Sequence, residues 1–337
     1  MTGVVITAWS ALTPFGHGRA AFADGVLRGE PVAPVPVQDD WAAAEARVVP
    51  DFDIVEQLGR KGTSSMDRTS ALAVATLREL VPEVPVDART GVVLGTTSGS
   101  NRTQFEFTRD SLTRRRPYFV NPAQMPFALM NSAAAQCAMW HGLTGPNSTV
   151  AAGRTAGPAV LRYASRLLRT GRASGVFAGA VEEHSGAREL LEPGGSLGEA
   201  AVLLFLQTGA DGNRAGLAEV VAVDTRLGEP RRALVACLEH VLAGHAVDEV
   251  WGVATSAADP ELSEVELEAT GAVLGQRNVI RPGHLIGDTG AASGVVGVAA
   301  LLAAAAADPG AGGRLAVATS ADRDGTAGAI VLRLTER

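Results

Sequence analysis

The chain has 337 residues, 46% hydrophobic but only 4% aromatic, with 39 glycines, two cysteines and a formal net charge of −7. That length can bury one large core or two fused halves, and the core must be built from Ala, Val and Leu with close backbone packing. The acidic balance excludes a general nucleic-acid binder; two cysteines without a CxxC pair or a His cluster exclude a disulfide scaffold or a cysteine-rich zinc site; and Lys61, the only lysine, leaves almost no amine chemistry.

The segment Met1-Thr2-Gly3-Val4-Val5-Ile6 runs directly into a strand-like stretch with no basic region before it, so no signal peptide is expected. Gly3 to Ala8 reads as a buried strand, Thr13-Pro14-Phe15-Gly16 as a turn and Arg19 to Leu27 as a helix. Residues 31–65 are Pro-rich and read as irregular. Ser65-Met66-Asp67-Arg68 opens a helix to about Leu80, Thr90 to Thr96 is a strand, Thr103 to about Leu112 is helical, and Pro122 to Trp140 contains an Ala- and Met-rich helix. Ser148 to Ala152 reads as a strand, Gly153-Arg154 as a tight turn and Thr155 to Thr170 as a helix. Ser174 to Ala180 is a strand, 182–197 a Glu/Gly-rich connector and Val202 to Leu206 a strand. The alternation then repeats. Leu217 to Asp224, Glu249 to Ala254, Arg314 to Thr319 and Ala327 to Leu334 read as strands, and Arg231 to Leu242, Glu261 to Leu274 and Ala292 to about Ala306 as helices. Such alternation of apolar strands and helices predicts an α/β fold with sheets covered on both faces. The longest apolar stretch, Ala291 to Ala307, is read as falling short of a membrane span, and a cytoplasmic protein with no membrane contact is expected.

The stretch from Gly145 to Gly157 is the centre of the pattern. A side chain on a strand-to-helix elbow sits at a helix N-terminus, where backbone N–H groups and the helix dipole favour negative charge. Such elbows commonly hold a nucleophilic Ser or Cys. This one holds Arg154, which cannot be deprotonated and cannot attack a carbonyl.

Several pieces, in order, resemble the β-ketoacyl synthases, the condensing enzymes of the thiolase fold: Thr13-Pro14-Phe15-Gly16, Met66-Asp67-Arg68, Asn121-Pro122 through Asn131, Gly142-Leu143-Thr144-Gly145-Pro146, Gly198-Glu199-Ala200-Ala201 and Gly287-Asp288-Thr289-Gly290-Ala291-Ala292-Ser293-Gly294. The resemblance implies a thiolase-like five-layer αβαβα sandwich of two similar halves, residues 1–212 and 213–337, with interface helices over 103–140. It also places the family's catalytic residues. The nucleophilic Cys falls on Arg154. The first His falls within Trp251–Thr255, where there is none, the second falls on Asp288 and the Lys on Gly283, with His284 out of register. The gating loop becomes Thr319 to Thr326 without its phenylalanines. Acyl transfer needs a thiolate and imidazoles, so catalysis by this chain alone is not expected, nor is any cofactor or metal.

The chain looks like the chain-length factor of type II polyketide synthases, an inactive partner of an active ketosynthase. This implies a heterodimer served by an acyl carrier protein. In that setting Phe105, Phe107, Leu112, Met130, Ala133, Ala134 and Cys137 are candidates for the substrate tunnel and dimer interface, against ordinary core packing. Arg114-Arg115-Arg116 are a weak candidate for carrier-protein docking, against a solvated face. Arg154 and Asp288 are expected to form a buried ion pair; the alternative has Arg154 on backbone carbonyls and Asp288 capping the next helix. Two further functions stay open: an enzyme with altered chemistry using Asp288 or Glu199, and a structural homodimer.

Overall fold

The computed structural model describes residues 3–192, 195–209 and 216–336. In chain order it forms β1 (Val4–Thr13), the short β2 (Gly16–His17), α1 (Gly18–Arg28), β3 (Val35–Gln38), β4 (Ala43–Ala46), α2 (Ile54–Leu58), α3 (Arg68–Leu80), β5 (Gly91–Thr96), α4 (Asn101–Thr113), α5 (Ser132–His141), β6 (Asn147–Ala151), α6 (Ala156–Arg169), β7 (Gly175–Glu182), α7 (Gly186–Leu191) and β8 (Ala200–Thr208). The rest comprises β9 (Ala218–Leu227), α8 (Pro230–Val241), β10 (Val250–Ala254), α9 (Pro260–Leu274), β11 (Asn278–Ile280), α10 (Pro282–Ile286), α11 (Ser293–Ala307), β12 (Leu315–Ala321) and β13 (Thr326–Leu334).

Ten of the strands form two sets with one topology. The order is β6-β5-β7-β8-β1 in the first set and β11-β10-β12-β13-β9 in the second, so each, numbered within itself, reads 3-2-4-5-1. In each set the first three strands pair in parallel and the last two join antiparallel. The sets meet where Val4–Ile6 of β1 pair with Ala218–Val220 of β9.

Side-chain alternation along the strands builds the layers. Ala200, Val202, Leu204 and Leu206 of β8 join a central cluster with α1, α6 and α11, while Ala201, Leu203 and Phe205 join a cluster with α3 and α5. Likewise Ile330, Leu332 and Leu334 of β13 face the central cluster, and Ala327, Ala329 and Val331 face α8. Helices, sheet, helices, sheet, helices is the expected αβαβα sandwich. The expected cut between residues 212 and 213 lies outside the described residues.

The glycine and alanine content has a structural reason in the middle layer. α6 and α11 approach so closely that a Cβ on Gly157 would lie 2.9 Å from the Val295 nitrogen and 3.0 Å from Gly294 Cα. Both obstacles are backbone, which cannot step aside. Gly157→Ala is expected to destabilise the fold by about 1–3 kcal/mol, as overpacking does, read as a lowered urea midpoint. An unchanged midpoint would show that the central helices slide freely.

Three expectations need correction. Residues 31–65 are not simply irregular, since β3 and β4 pair as a hairpin and α2 follows. The connector 182–197 contains α7, started by the Ser185 side chain, which accepts the Arg188 N–H. The run Gly290–Ala307 does not fall short of a membrane span: its 18 residues are long and apolar enough by length and composition. It is mostly buried, however, between the two sheets, which accounts for its composition without a bilayer.

Candidate functional site

The elbow forms because β6 ends at Ala151 and a single 3-10 turn, Gly153–Thr155, feeds α6. Gly153 has φ +50°, and an added Cβ would collide with the Asp322 carboxylate. The second half repeats the device, with Gly290 at φ +50° opening the 3-10 turn Gly290–Ala292 before α11. The two turns lie against each other at the centre of the molecule, so what the first presents must be accommodated by the second.

Arg154 is the side chain presented, and it is met by carboxylates on three segments. Its Nε donates to Asp288 Oδ2 at 3.0 Å, its Nη2 to Glu192 Oε2 at 2.7 Å and also to Asp288 Oδ2, and its Nη1 to Asp322 Oδ1 at 3.1 Å. The Arg154 backbone N–H also donates to Asp322 Oδ2, at 2.9 Å. The expected pair with Asp288 is therefore formed. Asp288 Oδ1 also accepts the Gly290 N–H at 2.9 Å, one residue ahead of the cap position, which Thr289 holds.

Arg188, fully buried, holds the far side of the cluster. It donates to the carbonyls of Gly198 at 2.8 Å, Asp288 at 3.0 Å and Glu183 at 3.3 Å, and its Nε donates to Glu192 Oε1 at 3.2 Å. Burial by itself would push the Asp288 carboxyl up, but the Arg154 and Arg188 guanidiniums outweigh it and hold Asp288 below the usual carboxylate range. Burial disfavours the charged Arg154 in the same way, and Asp288, Glu192 and Asp322 reverse that and hold its proton more firmly. A small cavity of about 250 Å³ remains, lined by Arg154, Glu192, Leu197, Asp259, Asp288 and Arg323.

The other degenerate positions are filled by backbone and ion pairs. A side chain on Gly283 would meet the Ala258 nitrogen and Ser256 carbonyl oxygen at 2.7 Å, so the loop after β10 packs directly on this glycine. His284 contacts Ser263 and Arg281 instead of the cluster. Glu199 is fully buried and accepts from Arg68 Nε at 2.8 Å, Val49 N at 2.7 Å and His184 N at 3.2 Å, which leaves it as an anchor between segments. The thiols offer no substitute nucleophile: both cysteines are buried, and burial pushes Cys237 up to about 12 and Cys137 further.

The candidate tunnel residues divide. Leu112 is 79% and Met130 51% exposed, and Phe105 and Phe107 are half-buried. Ala133, Ala134 and Cys137 are a correction. They lie in the core cluster shared with α3 and the N-terminal sheet, because the small-residue face of α5 is the one that can approach α3, and they line no open surface of this chain. Arg114, Arg115 and Arg116 are exposed, with Arg114 paired to Asp110 at 2.6 Å and Arg116 5.8 Å from the Tyr118 ring. Glu192, Asp322 and Arg188 are site residues that sequence reasoning did not single out. The signal available was an arginine at the elbow together with acidic residues in the 182–197 connector and the 319–326 loop.

A second buried acidic group lies at the entry to α4. Glu183 accepts from Ser100 Oγ at 2.9 Å and Thr69 N at 3.2 Å, and Asp67 caps α3 through the Ser70 N–H at 2.8 Å. Burial pushes Asp67 up to about 6, and burial with the Asp67 charge pushes Glu183 up to about 8. Both folded-state values are raised, so the folded state binds these protons more tightly than the unfolded chain. Their stabilisation is present at low pH and is lost as pH rises through those values. The urea midpoint is expected to fall between about pH 5 and about pH 8, and Glu183→Gln to flatten that slope. A midpoint that climbs over that window would contradict the assignment.

Two five-stranded halves, with an elbow of one set against the matching turn of the other, define a condensing-enzyme fold with a cluster of ion pairs at the elbow. Residues 1–195 match the family described as beta-ketoacyl synthase, N-terminal domain. The chain belongs to the beta-ketoacyl synthase family. A 3-oxoacyl-[acyl-carrier-protein] synthase 2 of Synechocystis sp. is 28% identical over 189 residues, which are 53% of this chain and 45% of that one. Its counterpart in Vibrio harveyi is 25% identical over 191 residues, 54% of this chain and 46% of that one. The match thus spans about half the length of these curated relatives. Among solved structures, the ishigamide ketosynthase/chain length factor is 39% identical, covers 99% of both chains and superposes with a TM-score of 0.92. A beta-ketoacyl synthase from Burkholderia phymatum, at 18% identity and full coverage of both chains, shares the fold with a TM-score of 0.83.

Proposed function

We propose that this chain is a non-catalytic subunit of the chain-length-factor kind. It would pair with a cysteine-bearing ketosynthase and set polyketide length in a type II polyketide synthase, with the growing chain brought by an acyl carrier protein. The observation that carries the reading is Arg154 held by three carboxylates at the elbow, the position to which the resemblance assigns the family's nucleophile. A guanidinium fixed in this way cannot attack a thioester. The full-length likeness to the ishigamide ketosynthase/chain length factor supports it.

The surface supports a partner. Leu112, Tyr118, Phe119, Met125, Leu129, Met130 and Met139 are all exposed along residues 112–139. Among the described residues the neighbouring edge strand β6 pairs only with β5. Apolar patches of this kind mark interaction sites. The reading with altered chemistry loses ground, because Asp288 and Glu199 are both engaged by arginines.

Co-expression with a cysteine-bearing ketosynthase is expected to give a 1:1 complex by size exclusion with light scattering. Homodimers that ignore the ketosynthase would reject the reading. Within such a complex, Phe105→Ala, Phe107→Ala and Met130→Ala are expected to lengthen the products. Identical product lengths for all three would remove these residues from the tunnel.

A further inference from the structure

Between Asp110 and Glu182 the chain carries no aspartate and no glutamate, although such residues number 36 overall and give it a net charge of −7. The same stretch holds eight arginines. It builds α5, β6, α6 and most of β7. Arg154 turns inward to its three carboxylates. Arg162, Arg166 and Arg169 turn outward on α6. With Tyr163 and Thr170 they are the exposed positions between Ala156 and Thr170, and spacings of three and four place them on one stripe. The opposite flank of α6 packs on α11, where Gly157 meets Gly294. Among the described residues none of the three guanidiniums joins an ion pair.

The stripe does not serve the helix that carries it. Arg162 and Arg166 are four residues apart and Arg166 and Arg169 three, so like charges are neighbours, which disfavours an isolated helix. The helix dipole favours cations in the last turn, where Arg166 and Arg169 lie, but not at Arg162. One glutamate on the stripe would relieve the repulsion, and the sequence withholds it. Position supplies a reason. Ser148 Oγ of β6 donates to Tyr163 Oη at 3.4 Å, so the stripe runs beside β6. Among the described residues β6 pairs only with β5, and such an open edge is a template for another chain. Two copies pairing β6 with β6 antiparallel would be related by a two-fold axis normal to the sheet. Both α6 helices would then lie on the same side, stripe facing stripe, with three arginines against three. Like charges juxtaposed across an interface are strongly unfavourable, whereas carboxylates in that place would complement the stripe.

We propose that Arg162, Arg166 and Arg169 select the partner at the β6 edge: they repel a second copy of this chain and receive a different chain that presents carboxylates to α6. That the different chain is a ketosynthase rests on the function proposed above; the repulsion between copies does not. The first test uses this chain alone, native and with Arg162→Gln, Arg166→Gln and Arg169→Gln combined. All three positions are exposed, and glutamine keeps the helix propensity. Sedimentation equilibrium is run at about 0.01 M and about 1 M sodium chloride, where the Debye length is roughly 30 and 3 Å. The native chain is expected to be monomeric at low salt and to self-associate at high salt, and the triple variant to self-associate at both. The same mass for both proteins at both salts overturns the repulsion. The second test titrates a cysteine-bearing ketosynthase. Arg162→Glu, Arg166→Glu and Arg169→Glu combined are expected to weaken binding at least tenfold, with the glutamine variant in between. Equal affinity of the native chain and the glutamate variant overturns the reception of carboxylates. A ketosynthase that ignores the native chain altogether would instead strike the subunit reading, while sedimentation of the chain alone still decides the repulsion.

Discussion

Replacing Arg154 with cysteine is expected to destabilise the fold by about 3–5 kcal/mol, the range for removing one partner of a buried ion pair, and to restore no condensing activity. Asp322 would lose the cation beside it, and Asp288 and Glu192 would keep only Arg188. The new thiol would stand beside two carboxylates, which raises a thiol pKa instead of generating a thiolate. The position assigned to the lysine would still be a glycine packed on the backbone of Ser256–Ala258. Urea unfolding and malonyl-thioester decarboxylation check both halves of the expectation. Native-like stability in Arg154→Cys would mean that the cluster contributes nothing to folding. Turnover by that variant, in the absence of a ketosynthase, would overturn the non-catalytic reading. Arg154→Lys should fall between the two, since an ammonium keeps the charge but cannot reach three carboxylates with a planar fork.

Arg188→Met is expected to be still more damaging, by about 5 kcal/mol or more, because a fully buried charge and its hydrogen bonds are lost together. The carbonyls of Glu183, Gly198 and Asp288 would lose the Arg188 donor, the last of them keeping the Gly198 N–H. Glu182, fully buried and already pushed up by burial, would lose its neighbouring guanidinium. An added Cβ at Gly290 would contact both Glu182 and Arg188, within 3.1 Å, so this pair is packed without slack. Where the single variant fails to fold, the double variant Arg188→Met with Glu182→Gln provides the readout. Neutralising the stranded carboxylate should recover part of the loss. A double variant no better than the single one, in soluble yield and urea midpoint, would show that the carbonyl contacts and not the charge pair matter.

The resulting picture separates two arginine sites with different work. Arg188 ties α7 to the loops before β8 and α11 and is internal to the fold. Arg154 joins the elbow of the first half to Asp288 and Asp322 of the second. In the proposed heterodimer the chemistry would belong to the partner, and this chain would contribute its apolar 112–139 surface.

The sequence by itself determined a good deal. Alternating apolar strands and helices gave the α/β class, because period-two and period-3.6 patterns are set by local backbone geometry. The order of short motifs gave the family, and residue 154 is an arginine at the position to which the resemblance assigns the nucleophile. Even the Arg154–Asp288 pair was within reach, since the family resemblance brings those two positions together across the halves. Other features were decided only by the tertiary structure. Glu192 and Asp322 lie 38 and 168 residues from Arg154 along the chain, and nothing local distinguishes them from solvated loop acids. Ala133, Ala134 and Cys137 read equally well as tunnel or core, because helical spacing does not say which face a helix turns inward. The apolar Gly290–Ala307 run is settled as a core helix by the sheets that cover it. The loss of the lysine at Gly283 is visible in the sequence, but only packing shows that backbone lies directly on this glycine. Each of these depends on contacts between segments distant along the chain, which local pattern cannot specify.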